Sequence, residues 1–174
     1  MPVNRKLGRA ADQRTAILRN MTTAFVINGK VETTVARAKE ISAIVEKLIS
    51  SAVKEKDNYT TKEIEVSAPK FDAKGKKVLV SKTSKNGNKY FVVDREKKMK
   101  TVTVDSASRL AARKRMTYWL LKSKNSEGEE VNPVNKMFDT IAPKHAGRTG
   151  GYTRIIRTGA RRGDASEMAI LEFV

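Results

Sequence analysis

Near the start of the chain the hydrophobic positions recur every three to four residues. Ile17, Leu18, Met21, Ala24 and Phe25 fall at i, i+1, i+4, i+7 and i+8, which predicts an amphipathic helix over about 12–26. Arg19 points to the opposite face, and Arg14 projects toward the apolar side one turn before Leu18. Asn28-Gly29 accepts positive φ and ends the helix. Lys30 to Thr34 alternates and is rich in β-branched residues, so a short strand is expected there. Thr34 then stands as the cap of a second helix over about 35–55. Its apolar stripe is Ile41, Ile44, Val45, Leu48, Ile49 and Ala52, with Lys39, Glu40, Glu46 and Lys47 facing outward. Ahead of these elements, Pro2 and Gly8 disfavour helix, and residues 1–9 read as a basic extended arm.

The pattern changes after Asp57-Asn58. Ile64 and Val66 alternate with charges. Two β-rich runs, Val78-Leu79-Val80 and Tyr90-Phe91-Val92-Val93, flank an Asn86-Gly87 pair, a strong short-range hairpin signal. Val102 and Val104 predict a further strand. From Asp105 or Ser106 a third helix runs to about Lys122, with Leu110, Tyr118 and Leu121 near one face and Arg109, Arg113, Lys114 and Arg115 making it very basic. Asn132-Pro133 is an N-cap followed by proline at the first helical position. Val134, Met137, Phe138 and Ile141 form the apolar stripe of that helix, and Pro143 closes it. Strands are expected at 152–158 and 167–173, joined by a basic loop at 159–166. The fold class is α+β: a small mixed sheet with helices packed on one side, plus a β-rich insertion. The expected division is a core of 1–53 with 107–174 and a lysine-rich hairpin insertion at 54–106.

Charge sharpens this picture. The 174 residues carry a net charge of +17, far from an ordinary domain and favouring a polyanionic partner. The excess is spread evenly, about +5, +6 and +6 over residues 1–53, 54–106 and 107–174, as in a protein embedded in polyanion rather than tethered by one tail. No stretch reaches the length of a spanning helix and no signal-peptide core is present, so a cytoplasmic location and no membrane partner are expected. With no cysteine and one histidine, disulfides, thiolate or histidine-cluster metal sites and a cysteine nucleophile are excluded. No cofactor, metal or homo-oligomer is expected.

The densest signal lies between Lys144 and Gly163, where six Lys/Arg and five glycines stand without one acid. Arginine grips phosphate oxygens two at a time, and glycine lets backbone N–H groups approach a ligand closely. Clustered Arg5, Lys6 and Arg9 in the arm point the same way. The expected phosphate and ribose contact set is Arg5, Lys6, Arg9, Arg148, Arg154, Arg161 and Arg162 with, outside these two segments, Arg14 and Arg19; Lys39 and Lys144 stand in a second tier. Tyr152, at the head of a strand, is expected in the core rather than stacked on a base. His145 has no partner placed by spacing for base catalysis and is expected at the surface or facing nucleic acid. Asp164, Glu167 and Glu172 cap a turn and line a strand face rather than hold a metal. No phosphate-loop or dinucleotide fingerprint occurs, so an enzyme is not expected. A nucleoid or general DNA-binding protein is the competing reading, although no helix-turn-helix or zinc finger supports it.

Four blocks of residues resemble the family of the seventeenth protein of the bacterial large ribosomal subunit. They are Arg5-Lys6-Leu7-Gly8-Arg9 with Arg14 and Arg19-Asn20; Thr33-Thr34 with Arg37-Ala38-Lys39-Glu40 and Glu46-Lys47-Leu48-Ile49; Phe138 to Pro143; and Gly150 to Asp164 with Met168-Ala169-Ile170-Leu171-Glu172. Asn4 and Gln13 stand where the family pattern usually has histidine, and Thr149 where it has proline. The resemblance implies a structural role without catalysis: binding large-subunit ribosomal RNA near the peptide exit side, beside the large-subunit protein numbered thirty-two. Residues 54–106 are an insertion onto which this role is not carried.

Overall fold

Helix α1, Ala11–Asn28, buries Leu18, Thr22, Phe25 and Val26, spaced four, three and one apart so that they share one face. Gly29, at φ 80°, ends it by donating its N–H to the Phe25 carbonyl at 2.8 Å, the left-handed stop for which glycine pays no steric penalty. The Lys136 ammonium donates to the Ile27 carbonyl at 2.6 Å, satisfying one of the last-turn acceptors that a helix end leaves open. The structure is a computed structural model that describes residues 5–124 and 128–174.

The chain divides into two compact units, one of Met1–Asn58 with Asp105–Val174 and one of Tyr59–Val104. In the first, strand β1 (Lys30–Thr34) leads into α2 (Val35–Glu55), the central helix. Its stripe of Val35, Ala38, Ile41, Val45, Leu48, Ile49 and Ala52 is buried; each of its large aliphatic side chains contributes about 1.5–3 kcal/mol when fully removed from water. Thr34 occupies the cap position, yet its hydroxyl makes no capping bond. It is still the last residue of β1, with extended φ −69° and ψ 147° and pairing with Met168. Helices α1, α3 (Ala107–Trp119) and the run from Pro133 to Lys144 pack around α2.

The sheet of this unit has the order β1-β9-β8, with β8 at Thr153–Ala160 and β9 at Glu167–Phe173. The fold class is α+β as read from the sequence. Both pairings in this sheet are antiparallel rather than mixed, because β9 returns directly from β8 and β1 adds to its far edge. Val31, Leu171 and Ile155 lie across from one another, as do Thr33 and Ala169. Period-two alternation turns this set toward the helices and leaves Lys30, Glu32, Glu172, Arg154 and Ile156 on the other face.

Two sequence expectations about the helices change. In α3 the buried residues are Arg109, Ala112 and Met116, followed by Leu120; Leu110 and Tyr118 are exposed. Hydropathy ranks an arginine outward, but here its guanidinium lies 5.0 Å from the centre of the Phe138 ring and its Nε 3.3 Å from Asp105. Pairing and stacking of this kind let an arginine go inside. In the second case, α4 (Pro133–Lys136) starts as read, the Asn132 side chain accepting from the Val134 N–H. It passes through a π-helical turn, Met137–Ile141, into α5 (Ala142–Lys144). Pro143 thus sits within the helical run instead of ending it. Having no N–H to return to the preceding turn, it fits where the ladder is already widened. The wide turn buries Met137, Phe138 and Ile141 together.

The second unit is built of two ribbons. Strand β2 (Tyr59–Pro69) pairs with β5 (Arg95–Asp105), and β3 (Leu79–Thr83) with β4 (Lys89–Val93). Gly87, at φ 79°, turns the β3–β4 hairpin at the Asn86-Gly87 pair. A short pair, β6 (Ser123–Lys124) with β7 (Glu130–Val131), lies after α3.

Candidate nucleic-acid interface

The strands β8 and β9 carry the basic loop. A bulge between Arg157 and Gly159 interrupts the ladder, and Gly159 takes φ 100°. The turn beyond it is closed by the Arg161 N–H to Ser166 carbonyl bond and the Ala165 N–H to Arg161 carbonyl bond, both 2.9 Å. Asp164 sits at its centre. Its carboxylate accepts from Arg161 Nε at 2.9 Å and Nη2 at 2.6 Å, and from the Ser166 hydroxyl at 2.8 Å. The Arg161 fork and the Ser166 donors hold this carboxyl well below the usual carboxylate range, because they bond to its charged form. Asp164 therefore organises the turn, and Arg161 spends its planar fork inside the loop. Arg162 and Arg157 are exposed and have no ion pair among the described residues, whereas Arg154 lies 3.8 Å from Glu172, its cross-strand partner.

The arm takes a different shape from the extended one expected. Residues 5–9 turn, with the Arg9 N–H on the Lys6 carbonyl at 3.1 Å and both Leu7 and Gly8 at positive φ. Leu7 packs on the core, and burying that side chain gives a reason for the tight turn. Residues 1–4, including Asn4, lie outside the described residues. Arg5 is half-buried, 3.7 Å from Glu40; Lys6 and Arg9 are exposed, and Arg14 is half-buried. Arg19 lies with its guanidinium 5.3 Å from the centre of the Tyr118 ring.

These segments meet at one cleft of about 400 Å³, lined by Arg5, Lys39, Arg157, Thr34 and Ser166 at the start of α2. Glu167 also lines it. Among the described residues neither Lys39 nor Arg157 has an ion-pair partner. Three cations far apart in sequence are thus brought together where the helix dipole also favours an anion. Arg157 is not in the contact set read from the sequence. Its signal was present, since it lies in the acid-free run, but only the strand register shows that it reaches the start of α2.

His145 corrects the sequence reading. It is 5% exposed rather than at the surface, edge-on to Tyr152 at 5.5 Å and tilted against Phe173 at 6.0 Å between ring centres. Burial, then the nearby Arg148, lowers its pKa from 6.5. Tyr152 is a core residue, as read, donating its hydroxyl to the Arg148 carbonyl at 3.2 Å. The Arg148 side chain folds back on the Gly151 carbonyl at 3.1 Å, so this part of the loop is braced by its own arginine. Lys144 is exposed beside His145. Among the described residues no cluster of three His, Asp or Glu gathers in metal-ligating reach, and no helix is long and apolar enough to cross a membrane.

The fold is a three-stranded antiparallel sheet with helices packed against it, and it brings three cations together at the start of α2. The family described as Ribosomal protein L17 matches residues 17–174, and the chain belongs to that family. It is 55% identical to the large ribosomal subunit protein bL17 of Acetivibrio thermocellus and 57% identical to that of Ruminiclostridium cellulolyticum, over the whole of both chains in each case. The bL17 protein of Lachnospira eligens is 46% identical, with 98% of each chain covered. The first two relatives match from end to end, so the match extends across residues 59–104.

Proposed function

We propose that the chain is a structural constituent of the large ribosomal subunit in the cytoplasmic ribosome, and that it holds large-subunit ribosomal RNA by its backbone. The observation that carries the RNA-binding part is the cleft in which Arg5, Lys39 and Arg157 converge at the start of α2. A phosphate there meets Lys39, Arg157 and a helix N-terminus at once. Lys6, Arg9, Arg14, Arg19, Lys144, Arg148, Arg154 and Arg162 are the further contacts of this reading. Arg161 contributes by holding the loop in shape. The neighbouring large-subunit protein numbered thirty-two is the protein partner this reading implies. Mounting the cations on helix and strand, rather than on a loose tail, fixes their spacing before the RNA arrives and lowers the ordering cost of binding.

The test is ultraviolet crosslinking in the native cell, followed by sequencing of the attached RNA, for the natural chain and for Lys39→Ala with Arg157→Ala. Discrete crosslinks at a few large-subunit RNA positions, weakened by the double substitution, are expected. Crosslinks spread over many RNAs or over DNA refute the reading and favour a general nucleic-acid binder.

A further inference from the structure

The β3–β4 hairpin leaves its aromatic side chains uncovered. Its register pairs Ser81 with Phe91 and Lys82 with Tyr90. Side chains alternate along a strand, so Phe91 stands on one face of the ribbon and Tyr90 on the other. Phe91 is 71% exposed and Tyr90 47%. Leu79 and Val80, at the other end of the ribbon, are exposed as well. A two-stranded ribbon wetted on both faces is marginal by itself. Its base is secured by the Lys70–Asp94 ion pair at 2.8 Å and by the Asp94 N–H on the Val78 carbonyl at 2.8 Å.

The charge around those rings is one-sided. Between Asp72 and Asp94 there are six lysines and no acid. None of the six has an ion pair among the described residues. Elsewhere in this unit two acids are paired, Glu65 with Lys97 and Glu96 with Lys98. Lys82 stands directly across from Tyr90, and Lys89 precedes it in the chain. Exposed π faces with unpaired ammonium groups beside them match what unpaired nucleotides require: stacking for the base, neutralisation for the phosphate. A regular duplex offers no base faces to stack on. An acidic protein surface would not explain an aromatic ring on each face.

We propose that this hairpin is a second RNA-binding element, which takes unpaired nucleotides of ribosomal RNA. Phe91 and Tyr90 each stack a base, while Lys82, Lys85 and Lys89 neutralise the adjoining phosphates. Lysine meets phosphate as a point charge, so the element selects single-stranded shape more than sequence. The inference rests on the reading of the chain as a ribosomal RNA-binding component.

The experiment uses the full chain, assembled into large subunits in cells. Ultraviolet crosslinking and peptide mass spectrometry then locate the residues that carry a nucleotide. Adducts within 79–93 at a few fixed RNA positions are expected, in addition to those of the first unit. Tyr90→Ala with Phe91→Ala should lower the hairpin adducts about thirtyfold or more, the effect of losing two stacked bases. Tyr90→Phe with Phe91→Tyr keeps both rings and should keep the adducts, which separates stacking from a misfolded hairpin. With purified protein and large-subunit RNA, Lys82→Gln, Lys85→Gln and Lys89→Gln together should reduce the log–log salt slope by about 2. Adducts in the first unit with none in 79–93, or hairpin adducts unchanged in the alanine variant, overturn this inference and leave the proposed function standing. Adducts in neither unit overturn both.

Discussion

Replacing Glu46 tests how the C-terminal strands are fixed to the central helix. Its Oε1 accepts two bonds of 2.8 Å from Thr153, one from the backbone N–H and one from the hydroxyl. The Ser42 hydroxyl lies 2.8 Å from the same Thr153 oxygen. Thr153 is the first residue of β8, so this contact sets where the strand leading to the basic loop begins. A hydrogen bond to a charged acceptor contributes about 1.5–3 kcal/mol net. The site is half-buried and Ser42 remains to serve the hydroxyl, so the sum falls at the low end. Glu46→Ala should therefore cost about 2–3 kcal/mol. Glu46→Gln keeps an amide oxygen as acceptor and should cost about 1 kcal/mol. In a chain of this size the alanine variant should melt about 5–10 °C lower. The sharper assay is hydrogen exchange at the Thr153 amide, which should accelerate about 30-fold or more in Glu46→Ala. An alanine variant within about 0.5 kcal/mol of the natural chain, or a glutamine variant as damaged as alanine, would refute the argument.

Three further outcomes follow from the same structure. Asp105 contacts Arg109 Nε at 3.3 Å and Arg113 Nε at 3.2 Å, and both guanidiniums lie over Phe138. Asp105→Ala should cost about 2–3 kcal/mol in urea unfolding, less than for a fully buried pair because Asp105 is partly wetted; combined with Arg109→Met it should cost less than the sum of the two, and strict additivity would show that the carboxylate and the arginine are uncoupled. His145 has a folded pKa below 6.5, so the unfolded chain binds the proton first and stability falls as pH drops below about 6.5. Comparing unfolding midpoints at about pH 7.5 and pH 5.5, the loss should be smaller in His145→Phe; an equal loss would mean that other groups cause it. In the basic loop, Arg161→Ala and Asp164→Ala each release the same bidentate contact. Both should speed amide exchange at Ala165, Asp164→Ala the more because it also loses the Ser166 bonds, and the double variant should be no worse than Asp164→Ala, whereas additive effects would show that the two side chains act apart.

Much of the framework can be read from spacing. The stripes of α1 and α2, the Gly29 stop, the Asn132-Pro133 start and the Asn86-Gly87 turn all depend on contacts within a few residues, which sequence order fixes. The failures share a different cause. Arg109 goes inside because Asp105 and Phe138 receive it. His145 goes inside because Tyr152 and Phe173 close over it. Neither neighbour set can be counted along a helix. Within the candidate site, the arginine content of the arm and loop was legible. The division of labour was not, since Arg161 is held by Asp164 whereas Arg157 has no ion pair among the described residues.

By itself the sequence determined the positions and types of the main elements, the strong positive charge, the exclusion of cysteine chemistry and the kinship of more than two-thirds of the chain. Local backbone preference, hydrophobic period and composition settle those matters without reference to distant residues. Tertiary structure alone decided which cations meet. Arg5, Lys39 and Arg157 lie on three separate segments, and only the antiparallel order β1-β9-β8, with α2 leaving the end of β1, brings them to one cleft. Proximity between residues more than a hundred positions apart is a property of strand pairing and packing, which composition and periodicity do not encode.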